Sequence, residues 1–346
     1  MRRLSFPLFL LLGLLWAPAM QAQSGGERAP LCVANVWNND ATNGRLMTKL
    51  DDAEALGASA VRHAVTGASL LGRGIPRTRA VADALRARGL TAVMQLPTPW
   101  RPPFQTVTAE EVYAGGAAWG PFLREYRDVY PYPVQIGNEP NLSLVRVYNR
   151  MTREGASEAE ARQAARERAE RYAMFVVEFA RGVKSTCPEC EVTTGGLGDL
   201  DGPKRQAAVE YLQILAPHVA SGVLAPSLDI HVYRARRHFE REGGRLRWRE
   251  NFRAEVDALL DDAGWPATTE LLSTEANVPS DGGWDSEAAR AEGVETLLRA
   301  LRSTPRMGPV CVFSPWHGMG GERNSDRWLI RPDTPAGDAV RRVAMD

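Results

Sequence analysis

The sequence has no surplus of charge of either sign: Lys and Arg number 42, Asp and Glu number 42, and the formal net charge is zero. Without a global field, neither nucleic acid nor an acidic membrane surface exerts a long-range pull on the chain, so no nucleic-acid partner is expected. Cysteine is scarce, at four residues, Cys32, Cys187, Cys190 and Cys311. The Cys187-Pro188-Glu189-Cys190 stretch has zinc-knuckle or redox spacing. There is no second CxxC and no histidine cluster to complete a metal site, so no metal or other cofactor is expected. Also missing is the glycine-rich phosphate loop of an open, dinucleotide-binding sheet: Val36 is followed by Trp37-Asn38-Asn39-Asp40. No internal repeat, low-complexity linker or second domain is visible.

What is present begins with a leader. Arg2 and Arg3 precede an apolar run over residues 4–16, and Ala17, Ala19 and Ala22 offer small residues for cleavage. That is the pattern of a secretory signal peptide. The run is short for a membrane span, although an uncleaved anchor is the alternative on the same residues. Residues 1–22 are therefore set aside as a signal peptide. Residues 30–346 are expected to form one catalytic domain, secreted or periplasmic, with no stable membrane insertion after cleavage. In that setting a local Cys187–Cys190 disulfide is expected.

Short apolar runs alternate with helical spacing along the rest of the chain. The runs are 31–36, 58–65, 90–96, 134–136, 191–195, 228–233, 270–275 and 309–316, and helix patterns cover 44–57, 77–89, 108–129, 156–186, 203–219, 248–264, 284–303 and 335–343. Thr108 with Glu111, and Ser157 before an acidic first turn, are helix-start signals. Gly57 and Gly89 read as stops. Eight strand-then-helix units require a parallel sheet, because parallel neighbours need crossovers of that length. Eight is also the number that closes a (β/α)8 barrel, a single-domain α/β TIM barrel, and the barrel is preferred to an open sheet. Closure puts the last strand beside the first and brings Cys311 towards Cys32. Neighbouring strands seldom give disulfide geometry, so two buried free thiols are expected there.

Working residues of such a barrel stand at the C-terminal ends of the strands. The rim would carry Trp37 and Asn38, Arg62 and His63, Gln95, Pro97 and Trp100, Asn138 and Glu139, His231 and Tyr233, Glu275 and Asn277, and Trp316 and His317. Pro140 ends the strand ladder beside Glu139, leaving an ionisable carboxylate at the mouth. Strands four and seven face each other across eight, so Glu139 and Glu275 can converge. Retaining cleavage of a glycosidic bond needs such a pair, one carboxylic acid to protonate the leaving oxygen and one carboxylate to attack the anomeric carbon, about 5–5.5 Å apart. Arg62 and Tyr233 beside a carboxylate would keep it ionised. Trp316 would offer an apolar face to a sugar ring. The plainer structural alternatives are a salt-bridged pair for the glutamates and Arg62, a satisfied core histidine for His231, and loop packing for Trp37 and Trp100. The Asn141-Leu142-Ser143 sequon is read as accidental, given its place beside Glu139.

Asn138-Glu139-Pro140 ending strand four, His231-Val232-Tyr233 on strand six, Ser273-Thr274-Glu275 on strand seven and Ser314-Pro315-Trp316 on strand eight together resemble the clan A retaining glycoside hydrolases, broadly of the family 5 and family 39 type. The likeness covers essentially the whole mature chain. It departs where Gly137 stands for a bulky residue and where strand three lacks a histidine. The resemblance implies Glu139 as acid/base, Glu275 as nucleophile, Asn138 as a contact to the sugar 2-hydroxyl, Arg62 and Tyr233 as orienters of Glu275, and Trp316 as the sugar platform. His231 and Trp37 are further substrate-binding candidates. The expected partner is an oligo- or polysaccharide. A binding barrel without turnover and a transglycosylase acting on surface polysaccharide are the alternatives.

After Tyr233 the chain is crowded with Arg234, Arg236, Arg237, Arg241, Arg245, Arg247, Arg249 and Arg253, against Glu240, Glu242 and Glu250. A solvated, partly helical excursion is expected. A basic wall selecting anionic glycans is the sharper reading.

Overall fold

The computed structural model describes residues 29–65, 69–97, 106–313 and 330–346. Eight parallel strand positions form the barrel: β1 (Leu31–Trp37), β2 (Ala60–Ala64), β3 (Thr91–Leu96), β4 (Val134–Ile136), β5 (Val192–Thr194), β6 (Ser227–Asp229) continued by β7 (Val232–Tyr233), β10 (Glu270–Asn277) and β11 (Met307–Val312). The order is β5-β4-β3-β2-β1-β11-β10-β6, with β7 also on β10. A parallel Leu197–Ile230 bridge joins the two ends, so the (β/α)8 barrel expected from the sequence is the fold. Strand six breaks at Ile230 and His231 because the backbone there turns to Leu197: Leu197 N–H donates to Asp229 O, and His231 N–H to Leu197 O, both at 2.8 Å.

The strands are short and buried on both faces, which is why they read as apolar runs without alternation. Val33, Val61, Met94, Ile136 and Leu228 pack outward into one large core with the helices. These are α1 (Leu46–Ala55), α2 (Ile75–Ala87), α3 (Ala109–Glu125), α4 (Pro140–Arg153), α5 (Glu158–Thr186), α6 (Pro203–Ala220), α7 (Phe252–Ala263), α8 (Glu287–Arg302) and α9 (Pro335–Met345). Both predicted start signals are used, since Thr108 with Glu111 and Ser157 with Glu160 form complete capping boxes. Among the described residues no helix is long and apolar enough to cross a membrane.

The structure departs from the sequence reading in three places. Residues 140–153 form α4, a helix that the sequence pattern did not announce; Pro140 sits in its first turn, where the missing N–H costs nothing. The arginine-rich excursion is an antiparallel hairpin, β8 (Phe239–Glu242) and β9 (Arg245–Trp248), turned by Gly243 and Gly244 at φ 57° and 80°. Two consecutive left-handed residues make the tight turn that suits twisted strands, so the pair overrides the helical reading of its charges. Third, Cys32 and Cys311 are not free thiols but a disulfide. The β1–β11 register sets them directly opposite each other, and their Cα atoms are 4.0 Å apart, closer than the ordinary strand spacing of about 4.8 Å. Cys187 and Cys190 form the expected local disulfide.

Candidate active site

Glu139 reaches the barrel mouth through an unusual backbone. Gly137 has φ 96°, and Glu139 itself is left-handed at φ 47°, ψ 54°, between the end of β4 and the start of α4. A non-glycine residue adopts that conformation only when its surroundings impose it. Here its N–H donates to Gly196 O at 2.7 Å, and Pro140 starts the helix at once. Glu275 comes from the opposite side, on β10, and is 8% exposed.

The two carboxylates meet. One ligating atom from each of Glu139, His231 and Glu275 lies within 4.8 Å of the others. His231 bridges them, with Nδ1 3.1 Å from Glu139 Oε1 and 3.4 Å from Glu275 Oε2. Arg62 donates to Glu275 Oε1 and Tyr233 to Glu275 Oε2. The other arm of Arg62 donates to Asn138 Oδ1 at 2.8 Å, and Gln95 Nε2 donates to the same oxygen at 2.9 Å and to Gly137 O at 2.7 Å. Two donors on Oδ1 fix the amide orientation, so Asn138 turns its Nδ2 away, with no partner among the described residues.

The environments of the two acids differ. Burial is the strongest single influence on Glu275 and pushes its pKa up, but the positive charges of His231 and Arg62 and the bonds from Tyr233 and Arg62 outweigh it, and the net shift is downward. Glu275 is thus held ionised. His231 is pulled down by burial, yet the charge of Glu275, the nearby Asp229 carboxylate and the bond to Glu139 raise it to about 10, so the ring is an imidazolium at neutral pH. Burial and the neighbouring Glu275 charge push the Tyr233 phenol well above its ordinary range, which keeps it a donor. Glu139 faces the opening more than Glu275 does, with side chains 23% and 11% exposed.

Of the residues named from sequence, Glu139, Glu275, Asn138, Arg62, His231 and Tyr233 converge in one bonded cluster. The His231 side chain has no exposed surface and lies beneath the pair. His63 turns the other way, between Tyr130 OH and Asn38 Oδ1, and burial lowers it to about 3. Trp37 ends β1 with its backbone N–H on Asp40 Oδ2 at 2.7 Å, and among the described residues it makes no hydrogen bond to Glu139 or Glu275. Trp316, Trp100 and His317 lie outside the described residues. Asn141 is fully buried, and its amide is bonded to Gly198, which accounts for the sequon being accidental.

Two partners were not singled out from sequence. Asp229 faces His231 Nε2 at 3.7 Å, and Thr274 donates to Asp229 through its N–H at 2.8 Å and through its hydroxyl. The period-two spacing of Asp229, His231 and Tyr233 was the available signal, since alternate residues of a strand share a face. Three carboxylates, Glu139, Glu275 and Asp229, are thereby faced by two resident cations, Arg62 and the His231 imidazolium. A divalent ion on Glu139, His231 and Glu275 would have to displace the proton from His231, so this donor set does not favour a metal.

The arginines of the excursion are mostly spent on neighbours. Arg234 and His238 bond Glu250, Arg241 grips Glu292 at 2.6 Å, Arg247 pairs with Glu242, Arg249 with Glu240 and Arg253 with Asp257. Arg236 donates to Phe239 O. Arg237 and Arg245 remain exposed without a partner among the described residues.

No family model matches the chain, and no curated protein matches it. Solved structures do. An endo-beta-1,4-mannanase from Thermotoga petrophila aligns over 93% of this chain and 77% of its own at 12% identity, with a TM-score of 0.53. A beta-glucosidase from Thermotoga maritima in complex with deoxynojirimycin aligns over 92% and 98% at 11% identity and a TM-score of 0.56. A glucosidase from Croceicoccus marinus aligns over 92% and 67% at 14% identity and a TM-score of 0.59. The chain shares its barrel with them.

Proposed function

We propose that the protein is a retaining glycoside hydrolase of the clan A type, close to families 5 and 39, which cleaves O-glycosidic bonds by double displacement. The observation that carries this reading is the meeting of two carboxylates within 4.8 Å at the mouth of the barrel, one held ionised and the other facing the opening. That separation is near the spacing of retaining pairs and too small to admit the water that inverting enzymes place between their acids. Glu275, oriented by Arg62 and Tyr233, attacks the anomeric carbon to form a glycosyl ester. Glu139 gives its proton to the departing oxygen, then takes one from the water that releases the sugar. His231 supplies positive charge between the two throughout. Asn138, its Oδ1 occupied, offers Nδ2–H to a sugar hydroxyl, and Trp316 and Trp37 are the candidate platforms for the ring. Solved neighbours that are a mannanase and beta-glucosidases fit this reading.

The substrate is an oligo- or polysaccharide. Paired arginines on the hairpin favour a neutral glycan over an anionic one. Two disulfides fit an oxidising compartment, in keeping with export of residues 30–346 after loss of the leader. A screen of aryl glycosides and neutral and acidic polysaccharides, with Glu139→Gln and Glu275→Gln as controls, tests the reading. Turnover with retained anomeric configuration, falling by about 10³-fold or more in Glu275→Gln, is expected. Binding without turnover, unchanged in both variants, would overturn it in favour of a binding barrel, and turnover unchanged in both variants would remove the two glutamates from the chemistry. Transfer to an added acceptor would mark a transglycosylase.

A further inference from the structure

Between β5 and α6 the chain passes through Gly195-Gly196-Leu197-Gly198, and this strap lies against the acid/base side of the site. Its backbone is held from several directions: Gly195 N–H donates to Ile136 O at 2.8 Å, Gly196 O receives Glu139 N–H at 2.7 Å, and Leu197 bonds Asp229 and His231. Side chains are excluded along it. A Cβ on Gly195 would lie 2.1 Å from Gly137 O, on Gly196 2.3 Å from His231 Nε2, and on Gly198 2.8 Å from Glu139 Oε1 and 2.7 Å from Leu142 Cδ1. The glycines leave free the space that Gly137 O, the His231 ring and the Glu139 carboxyl occupy.

One side chain ties the strap down. Asn141, two residues beyond Glu139 and fully buried, accepts Gly198 N–H on Oδ1 at 3.0 Å and donates Nδ2–H to Gly198 O at 2.6 Å, with Lys204 O at 3.2 Å. Its carboxamide thus trades both hydrogen bonds with one residue, Gly198, as a paired backbone residue does. Glu139 and Asn141 belong to the same short turn into α4, and both hold the strap, Glu139 at Gly196 and Asn141 at Gly198. Without the second tether, Gly198 is free to shift relative to the Glu139 carboxyl, whose Oε1 a Cβ on Gly198 would meet at 2.8 Å, and the left-handed backbone of Glu139 loses part of what imposes it.

We propose that Asn141 is a positioning residue for Glu139: by clamping Gly198 it sets where the acid/base carboxyl stands relative to Glu275. This rests on the reading of Glu139 as the acid/base. Proton donation matters for a poor leaving group and little for one that departs unaided, and a general acid supplies about 10²–10⁴-fold. A positional fault in Glu139 therefore reads out as discrimination between leaving groups.

The experiment compares kcat/KM of the full protein and of Asn141→Asp on two glycosides of one sugar, a dinitrophenyl and an unsubstituted phenyl glycoside. Asn141→Asp keeps the size but turns an oxygen towards Gly198 O. The expected result is a loss about tenfold or more greater on the phenyl glycoside, with the dinitrophenyl substrate nearly unaffected. Asn141→Ala, which buries no charge, is the second variant and should behave alike, while Gly198→Ala should show the same discrimination with the clamp intact. Equal losses on both substrates would overturn the inference, as would failure of both Asn141 variants to fold, since either assigns the residue to structure alone. Should the unmodified protein cleave neither glycoside nor any other, the acid/base reading itself falls.

Discussion

At the scale of the residue, the site works by uneven support of two like groups. Glu275 receives donors on both oxygens, from Arg62 and Tyr233, and faces the His231 cation, whereas among the described residues the Glu139 carboxylate has only His231. Replacing Tyr233 by Phe removes one of the bonds that lower the Glu275 pKa. The acid limb of the kcat/KM profile should therefore move to higher pH, and kcat should fall by about 10- to 100-fold. An unmoved acid limb would separate Tyr233 from the titration of Glu275. A second carboxylate shows the opposite balance at the other end of the same strand. Glu270, at the start of β10, is raised to about 7 from 4.5, by burial and then by the charge of Glu191. Its folded pKa lies above the unfolded value, so its contribution to stability is complete below about pH 4.5 and is lost as pH rises through about 7. Glu270→Gln should then leave stability nearly unchanged at pH 4 and raise it by an order of 2 kcal/mol at pH 8, measured by denaturant unfolding. A gain equal at both pH values would contradict the assignment.

At the scale of the element, much of what places the site was readable and some was not. The β4 strand, its stop at Pro140 and the capped starts of α3 and α5 follow from local rules that act within a few residues. The helix α4 did not, because a segment beginning right after Glu139 carries no cap signal of its own; Glu139 in a left-handed conformation replaces one. The hairpin was misread because its eight-residue body is dense in charge, and only Gly243-Gly244 discloses the turn. The pairing of α3 with α5 was invisible for a different reason. It depends on glycines that admit the facing backbone: a Cβ at Gly182 would stand 2.0 Å from Tyr113 O, and one at Gly116 2.2 Å from Phe179 O. Gly182→Ala should lower stability by at least about 1–3 kcal/mol, seen as a fall in Tm with the circular dichroism of the folded state retained at low temperature. A Tm unchanged within error would mean that the two helices are free to separate.

At the scale of the whole molecule, the barrel is a ring that must be closed twice, once by the Leu197–Ile230 bridge and once at the β1–β11 seam, where the Cys32–Cys311 disulfide ties positions 279 residues apart. A cross-link over so long a loop restricts the unfolded chain strongly, and Cys32→Ala with Cys311→Ala should cost about 2–4 kcal/mol in denaturant unfolding under non-reducing conditions. A loss at least as large should appear in the unmodified protein after reduction, which also opens Cys187–Cys190, and equal stability with and without reductant would remove the seam bond from the account. The sequence by itself determined the repeating strand-and-helix order, the barrel class that follows from it, and the residue types that stand at the strand ends, because hydrophobic period, caps and prolines act over short range. Only the tertiary structure decided that Glu139 and Glu275 meet above one histidine, that Asn141 faces inward on a glycine strap, and that two seam cysteines are bonded. Those facts depend on which distant segments the closed ring brings side by side, and separation along the chain carries no record of distance across it.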